Sequence, residues 1–246
     1  MPSSSVEDYL KQILLLEQRG DEARATNGAL AAAMNVTPAS ATTMVKALAE
    51  SGLVDYVAYG GARLTPKGRR LAVHVQRRHR LIELFLVQTL GLDWSEVHAE
   101  AERLEHAVSE RVIDRIDELL GHPDVDPHGH PIPSTSGDVE ASVGTPLDEV
   151  EAGRHVRIVS VSDTDAEFLR ALESMGLRPG TFVTVCEKNA AADSIAVSLR
   201  RGEPRTLGLR AAARVRVAEA KPPAEPARAK RAGRGGNGHR RPGRRV

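Results

Sequence analysis

Two stretches of the sequence place histidine and glutamate where a helix would bring them to one face. His79 and Glu83 are four residues apart, so both project from the same side of a helical turn. A second stretch offers four such side chains at positions i, i+4, i+7 and i+8: His98, Glu102, Glu105 and His106. Imidazole together with carboxylate suits manganese, iron(II), cobalt or zinc, whereas magnesium and calcium prefer oxygen ligands alone. The spacing therefore predicts a divalent metal site, and a helix face rich in ion pairs is the alternative interpretation.

Other residues of metal-ligating type lack this helical arrangement. His74 has no such companions and is expected to be structural. A further group lies in a segment broken by prolines: His122, Asp124, Asp126, His128 and His130. Because that segment predicts a loop rather than a helix, we favour the two helical stretches as the metal site.

The elements that must carry these side chains follow from the period of the apolar residues. Helical spacing is expected over six stretches: residues 6–17, 26–34, 38–50, 67–90, 95–108 and 110–120. The second and third helices are separated by a break at 35–37, which gives a helix-turn-helix outline. Residues 53–57 and 62–64 follow it as a predicted β-hairpin, or wing.

The carboxyl-terminal half has a different pattern. Residues 121–146 are rich in proline, glycine and serine and are expected to form a linker. A predicted helix at 166–175 then interrupts four short alternating runs: residues 155–161, 181–187, 194–199 and 213–218. These runs predict a small β-barrel. The fold class is therefore mainly α with a small β-barrel. We expect an amino-terminal winged helix-turn-helix module at residues 1–72, a helical module at 73–140, the small β-barrel at 147–218 and a basic, disordered tail at 219–246.

The predicted third helix has the features of a DNA-recognition helix. Short polar side chains that can approach base edges cluster at its amino-terminal end: Thr37, Pro38, Ala39, Ser40, Thr42 and Thr43. Basic residues that could hold phosphates lie nearby: Lys46, Arg63, Lys67, Arg69 and Arg70. Ala41, Met44, Val45 and Leu48 are assigned to the core. The alternative is a winged helix used for protein contacts.

Composition excludes several classes of protein. Cys186 is the only cysteine among 246 residues, which excludes an intramolecular disulfide framework and a multi-cysteine metal site. No apolar run approaches the length of a membrane helix, and the first residues do not resemble a signal peptide. Charge is uneven, because residues 81–140 carry 14 acidic and 3 basic side chains while residues 221–246 carry 9 basic and 1 acidic. A cytoplasmic protein with no membrane partner is expected.

Several motifs together identify a family. They are Asp8-Tyr9-Leu10, Arg78-His79-Arg80-Leu81 with Glu83, His98-Ala99-Glu100-Ala101-Glu102, Leu104-Glu105-His106, Gly129-His130-Pro131-Ile132-Pro133 and Met175-Gly176-Leu177-Arg178-Pro179-Gly180. With the winged helix-turn-helix, they resemble the diphtheria-toxin-repressor family of metal-dependent transcriptional repressors. The resemblance runs from residue 5 to about residue 218. It implies an SH3-like domain for the last module.

The resemblance implies two metal sites in each subunit. One would be formed by His79, Glu83 and His98, and the other by Asp8, Glu102, Glu105 and His106. Asp8 and Glu102 stand where iron-responsive members have methionine and cysteine, so the hard oxygen donors favour Mn²⁺, with Fe²⁺ as the alternative. An ion between Asp8 and the distant helix would fix the angle between the DNA-binding and helical modules.

The resemblance also implies partners and a role. The chain would be a homodimer that binds double-stranded operator DNA and represses metal-homeostasis genes, without enzymatic activity. Part of the predicted 67–90 helix would supply the dimer face: Leu81, Ile82, Leu84, Phe85 and Leu86. The basic tail is expected either to add non-specific DNA affinity or to act as a solubilising appendage.

Two positions depart from the family pattern. Lys11 stands where short manganese-responsive members carry glutamate, which argues against their close pair of ions. The ligands of the SH3-like domain have no clear counterpart, although Asp163 or Asp165 could substitute. Two other functions stay open from the residues alone: a metallohydrolase, and a winged-helix regulator that senses an organic ligand.

Overall fold

The computed structural model describes residues 3–19, 24–137, 144–199 and 202–220. The amino-terminal module contains α1 (Ser4–Arg19), α2 (Asn27–Ala33), α3 (Pro38–Glu50), β1 (Val54–Val57) and β2 (Gly61–Leu64). The helical module contains α4 (Pro66–Gln88), α5 (Val97–Leu104) and α6 (Glu110–Leu119). The carboxyl-terminal module contains β3 (Thr145–Pro146), β4 (His155–Val161), α7 (Ala166–Ser174), β5 (Phe182–Asn189), β6 (Ser194–Leu199), β7 (Arg205–Gly208), α8 (Leu209–Ala212) and β8 (Val215–Glu219). The sequence did not predict β3, β7 or α8. Of the predicted tail at 219–246, Glu219 is instead the last residue of β8, and residues 221–246 lie outside the described residues.

The helix-turn-helix has local causes in the sequence. The Thr37 side chain accepts a hydrogen bond from the backbone N–H of Ser40 at 3.2 Å, and Pro38 occupies the first turn of α3. A threonine cap followed by proline is a strong start signal, because proline has no N–H to leave unpaired there. Asn35 adopts a left-handed backbone conformation (φ 52°) in the turn before α3. The predicted break between α2 and α3 is confirmed.

The wing is a two-stranded antiparallel hairpin. Val54 pairs with Leu64 and Val57 with Gly61. Gly61 has a φ of +85°, and a Cβ at this position would lie 2.5 Å from the carbonyl oxygen of Ala25. Only glycine fits this close backbone approach. The hairpin tip carries Tyr59, whose side chain is fully exposed.

The amino-terminal module has its own core, to which all three of its helices contribute. Leu10, Ile13 and Leu14 of α1 are completely buried against Leu30 of α2 and Val45 of α3. Ala41 and Leu48 are buried as predicted, and Met44 packs partly buried against the same cluster. Because α1 is held by this core, any group that fixes α1 also fixes α3.

The predicted dimer face on α4 needs a correction. Leu81, Ile82 and Leu86 are buried inside this chain against α5 and α6. Their apolar surface belongs to the core of the helical module, so these three side chains do not form a dimer face, while the part of the prediction that concerns Leu84 and Phe85 stays a prediction. Large apolar side chains that are exposed in this part of the described chain lie elsewhere: Leu90, Leu104, Val112 and Leu119.

The carboxyl-terminal module contains a six-stranded antiparallel sheet, in the order β3-β8-β4-β5-β6-β7. The prediction of a closed β-barrel is wrong: within the described residues, β3 pairs only with β8, and β7 only with β6. The short helix α8 stands between β7 and β8 in the chain and packs near β6, β7 and the turn Leu147–Glu149. It thus lies at the open side of the sheet, where a barrel would need a closing strand pair.

The predicted linker is ordered over residues 121–137 and lies against the carboxyl-terminal module. The backbone N–H of Val161 donates to the carbonyl of His128 at 3.0 Å. Gly129 (φ +85°) approaches the backbone so closely that a Cβ would lie 2.0 Å from the carbonyl oxygen of Val159. Trp94, from the loop between α4 and α5, is buried in the core of the same module. The helical and carboxyl-terminal modules are therefore packed together, and the exact module boundaries stay a prediction.

In the described part of the chain, no helix combines the length and apolar character needed to cross a membrane.

Candidate metal centres and DNA-binding face

The first candidate metal centre joins α1 to the end of α5. We call Asp8, Glu105 and His106 the helix-1 group. His106 Nε2 lies 2.8 Å from Asp8 Oδ1 and 3.4 Å from Glu105 Oε1. One ligand atom from each residue falls within the span that a single ion could bridge. Asp8, predicted as a ligand through the family resemblance, thus lies beside two of its three predicted partners.

Glu102, the fourth predicted member, is not brought into this group. Its side chain is 48% exposed, and its Oε1 lies 3.7 Å from both Lys11 Nζ and His98 Nε2. It lies beside Lys11 and His98 instead of with Asp8 and His106. The predicted four-residue set is therefore assembled only in part.

A buried lysine occupies the space beside the helix-1 group. Lys11 Nζ donates to Glu105 Oε1 at 2.6 Å, and both side chains are almost completely buried. Glu105 has its pKa lowered: burial acts to raise it, but a hydrogen bond from His79 and the charge of Lys11 outweigh that effect. Glu105 therefore stays ionised and paired.

Glu7 holds His106 in place, a role that the sequence did not reveal. Glu7 Oε2 lies 2.7 Å from His106 Nδ1 and 3.0 Å from Arg78 Nη2. A carboxylate on one imidazole nitrogen leaves the other free to act as a ligand and fixes the ring orientation. Glu7 and Asp8 are adjacent in sequence, so their spacing gave no sign that both would reach one histidine.

The second candidate centre gathers around Glu83, which is completely buried. Glu83 Oε1 lies 3.0 Å from His79 Nε2 and 3.1 Å from His98 Nδ1, and these two nitrogens are 3.1 Å apart. All three residues predicted for this site are thus brought together. His79 also links the two centres, because its Nδ1 lies 2.6 Å from Glu105 Oε2.

The other oxygen of Glu83 faces a second set of ligands, contributed by the loop and the carboxyl-terminal module. Glu83, Asp126, His128 and Asp163 offer ligand atoms within reach of one ion. Asp163, one of the two predicted substitutes, lies 3.9 Å from His98 through its Oδ2, whereas Asp165 caps α7. We call Glu83 with both sets the Glu83 centre.

Two buried atoms in this centre show that it suits a cation. Glu83 Oε2 and His128 Nδ1 are 3.8 Å apart, and neither has a hydrogen-bond partner among the described residues. His128 Nε2 lies 2.8 Å from the carbonyl oxygen of Trp94, so in the neutral ring Nε2–H donates there and Nδ1 carries a lone pair. Burial acts to lower the pKa of His128, but the Glu83 carboxylate raises it, and an ion on Nδ1 would displace the proton held there. A distance of 3.8 Å is too long for a hydrogen bond but fits two ligands of one metal ion. The residues present therefore fit a divalent ion.

The electrostatics of the Glu83 centre agree with this view. Burial acts to lower the pKa of His79, but the carboxylates of Glu83 and Glu105 raise it to about 10. Burial likewise opposes the raised pKa of His130, yet Asp126 and Asp163 bring it to about 10. The acidic groups thus retain protons on neighbouring imidazoles. An ion that binds here would replace such protons.

The sequence analysis placed the loop residues outside the metal site, and the structure divides them. Asp126 and His128 reach the Glu83 centre, while His130 Nδ1 lies 3.2 Å from Asp126 Oδ2. His122 instead pairs with Asp117 at 2.8 Å. The ligand types at 126 and 128 were visible in the sequence. Their position depends on how the loop packs on another module, which spacing along the chain does not encode.

The predicted DNA-reading residues lie at the amino-terminal end of α3. Most are exposed: Thr37, Pro38, Ala39, Ser40, Thr43 and Lys46. Thr42 is half-buried, because its hydroxyl donates to the carbonyl of Pro38 and accepts from Asn27 Nδ2, both at 2.8 Å. Arg63 is exposed on β2 of the wing. Arg69 is paired with Glu17 of α1, which makes it less available for phosphate.

Comparison with known families matches three successive stretches of the chain. Residues 1–62 match the iron dependent repressor N-terminal DNA binding domain, residues 65–134 its metal binding and dimerisation domain, and residues 145–219 the FeoA domain. The iron-dependent repressor IdeR of Mycobacterium tuberculosis is 35% identical over 196 residues, which cover 74% of this chain and 83% of IdeR.

Two manganese regulators are also similar. The HTH-type transcriptional regulator MntR of Lysinibacillus sphaericus is 39% identical over 120 residues, which cover 49% of this chain and 84% of MntR. A solved manganese-dependent transcriptional repressor in complex with manganese superposes with a TM-score of 0.81 at 38% identity. That comparison covers 87% of this chain and all of the other.

Proposed function

Since this chain belongs to the iron-dependent repressor family, as the resemblance to diphtheria-toxin-type repressors predicted, we propose how its two centres switch DNA binding. The chain is a metal-sensing, DNA-binding transcriptional repressor. We propose that it acts as a homodimer on operator DNA and controls genes of metal-ion homeostasis. A regulator is favoured over a metallohydrolase or a sensor of an organic ligand, because the matching family models describe repressor domains.

One observation carries the proposal: the helix-1 group draws its residues from two modules. Asp8 belongs to α1, whereas Glu105 and His106 follow α5. A divalent ion would supply the positive charge that lets Asp8 and Glu105 stay close without repelling each other. Asp8 then holds α1 against the helical module, and α1 carries α3 through their shared core. In a dimer this orientation sets the distance between two recognition helices, which must match half-sites about 34 Å apart.

Manganese is the ion that the donors of the helix-1 group favour. Asp8 and Glu105 give hard oxygen atoms and His106 one imidazole nitrogen, and the group contains no sulfur. Such a set suits Mn²⁺, with Fe²⁺ as the alternative. Manganese binds more weakly than later transition metals, so selectivity would come from geometry and coordination number.

The Glu83 centre is proposed to hold the second ion of each subunit. His79 and His98 face one oxygen of Glu83, and His128 faces the other. Asp126 and Asp163 complete the donors from the loop and the carboxyl-terminal module. An ion here would secure the carboxyl-terminal module against α4.

Fluorescence polarisation with DNA from the promoter of the chain's own gene tests this function. We expect Mn²⁺ to tighten binding of the full chain by about 5- to 150-fold over the same protein in chelator, the usual range for coupled sites. Lys188→Gln, on β5 of the carboxyl-terminal module, is a control and should retain the response. Equal DNA affinity with Mn²⁺ and with chelator would contradict the proposed switch.

A further inference from the structure

Lys11 lies at an unusual place for a positive charge. It stands on α1, three residues after Asp8, and its side chain is only 6% exposed. Buried lysines are rare unless they are paired. Its ammonium contacts Glu105 Oε1 at 2.6 Å and lies 3.7 Å from Glu102 Oε1. It therefore sits among the carboxylates that would otherwise attract a metal ion.

The oxygen that Lys11 holds is also the one that faces the helix-1 group. Glu105 Oε1 lies 3.4 Å from His106 Nε2, the nitrogen that contacts Asp8. An ion that uses this oxygen must share it with the ammonium or displace the ammonium. Either event is unfavourable for a divalent ion, because like charges repel strongly at short range in a poorly hydrated site.

From this geometry we propose that Lys11 is a built-in competitor that lowers the affinity of the helix-1 group for its ion. The inference rests on the proposed function and deepens it. Glu102, half-exposed and within 3.7 Å, offers the ammonium a second acceptor. The Lys11–Glu105 pair itself joins α1 to the residue that follows α5. Lys11 therefore sets the Mn²⁺ concentration at which the helix-1 group binds its ion.

A purely structural role for Lys11 makes the opposite prediction. If the ammonium only stabilised the packing of α1 on α5, its removal would loosen the helix-1 group and weaken metal binding. If the ammonium competes, its removal strengthens metal binding. The sign of the change in affinity therefore separates the two roles.

The experiment measures Mn²⁺ binding to the full chain from the electron paramagnetic resonance signal of free Mn²⁺. The helix-1 class of sites is identified as the class that Asp8→Ala abolishes. Lys11→Met and Lys11→Gln remove the charge, and either can carry the test if the other does not fold. We expect roughly tenfold tighter binding in this class, as removal of one positive charge beside the ion predicts.

Two controls accompany these variants. Lys11→Arg keeps the charge and should stay close to the wild-type affinity, while Lys188→Gln removes a lysine of the carboxyl-terminal module. Unchanged or weaker Mn²⁺ binding in Lys11→Met and Lys11→Gln would overturn the inference, even where Mn²⁺ still controls DNA binding in the wild type. If Asp8→Ala abolishes no class of sites, the proposed helix-1 centre and this inference both fail.

Discussion

The two candidate metal centres offer similar ligand types but differ in burial and in the elements that they connect. The helix-1 group is partly open, with the Asp8 side chain 36% exposed, and it joins α1 to the end of α5. The Glu83 centre is closed at its middle, with Glu83 and His128 at 0% exposure and His98 at its rim at 24%, and it joins α4 to α5, the loop and the carboxyl-terminal module. The open centre is suited to sense an exchanging ion. The closed centre is suited to hold the molecule together.

The largest expected difference between the two centres is in how much a substitution lowers the free energy of unfolding. Glu83→Ala leaves His79, His98 and His128 without their shared carboxylate, and loss of one partner of a buried charged pair costs about 3–5 kcal/mol. Asp8→Ala, in the open centre and at a partly exposed position, should cost about 1 kcal/mol or less. Urea unfolding of both variants in chelator measures this contrast. Equal losses of stability would remove the distinction between a closed and an open centre.

The next effect concerns DNA binding. Asp8→Ala removes the only contribution of α1 to the helix-1 group, so Mn²⁺ should no longer tighten operator binding, a loss of about 5- to 150-fold. The free energy of unfolding in chelator should change little, because Asp8 is partly exposed. Polarisation assays and urea unfolding on the same preparation give both values. A variant that keeps the full response to Mn²⁺ would show that the coupling runs through the other centre.

A smaller effect is expected at Glu7, which orients His106 without belonging to the group. Glu7→Gln keeps a polar side chain but loses the charge shared between His106 and Arg78. Mn²⁺ affinity in the helix-1 class should fall about tenfold, the lower end for residues that orient metal ligands. Sites of the Glu83 class serve as the internal control. Equal weakening of both classes would mean that Glu7 acts on the fold as a whole.

The smallest effect is spectroscopic and reports only on the closed centre. Trp94 is the sole tryptophan of the chain, and its ring stacks on His128 with centroids 5.6 Å apart. Metal binding to His128 should therefore change the tryptophan fluorescence. The change should persist in Asp8→Ala and disappear in His128→Gln. A signal that follows Asp8 rather than His128 would assign the responding ion to the open centre.

The sequence predicted most of the helices and several of the clustered ligands, for a physical reason. Helical period places His79 and Glu83 on one face, and threonine caps with proline mark where α3 and α4 begin. These signals are local, so the sequence carries them directly. Asp8 was predicted only through the family resemblance, since nothing in its own surroundings pairs it with a helix some 100 residues away.

What the sequence did not predict depends on packing between modules. Glu102 lies beside Lys11 and outside the helix-1 group, and spacing along a helix cannot tell which long side chains will pair. His128 reaches Glu83 only because its loop lies against β4. The prediction of a closed barrel was wrong for a similar reason. Whether the edge strands β3 and β7 pair depends on what lies between them in three dimensions, which the strand pattern does not encode.

The position of Trp94 has a consequence for the connection between the helical and carboxyl-terminal modules. The indole of Trp94 reaches from the helical module into the carboxyl-terminal module. Its N–H donates to Glu173 Oε2 at 2.9 Å, and the guanidinium carbon of Arg178 lies 5.0 Å from the ring centroid. An aromatic side chain of this size removes about 150–250 Å² of surface from water. Since Trp94 is 3% exposed within the core of the carboxyl-terminal module, separating the two modules would return this apolar surface to water. The two modules are therefore held together by buried side-chain packing as well as by the peptide that connects them.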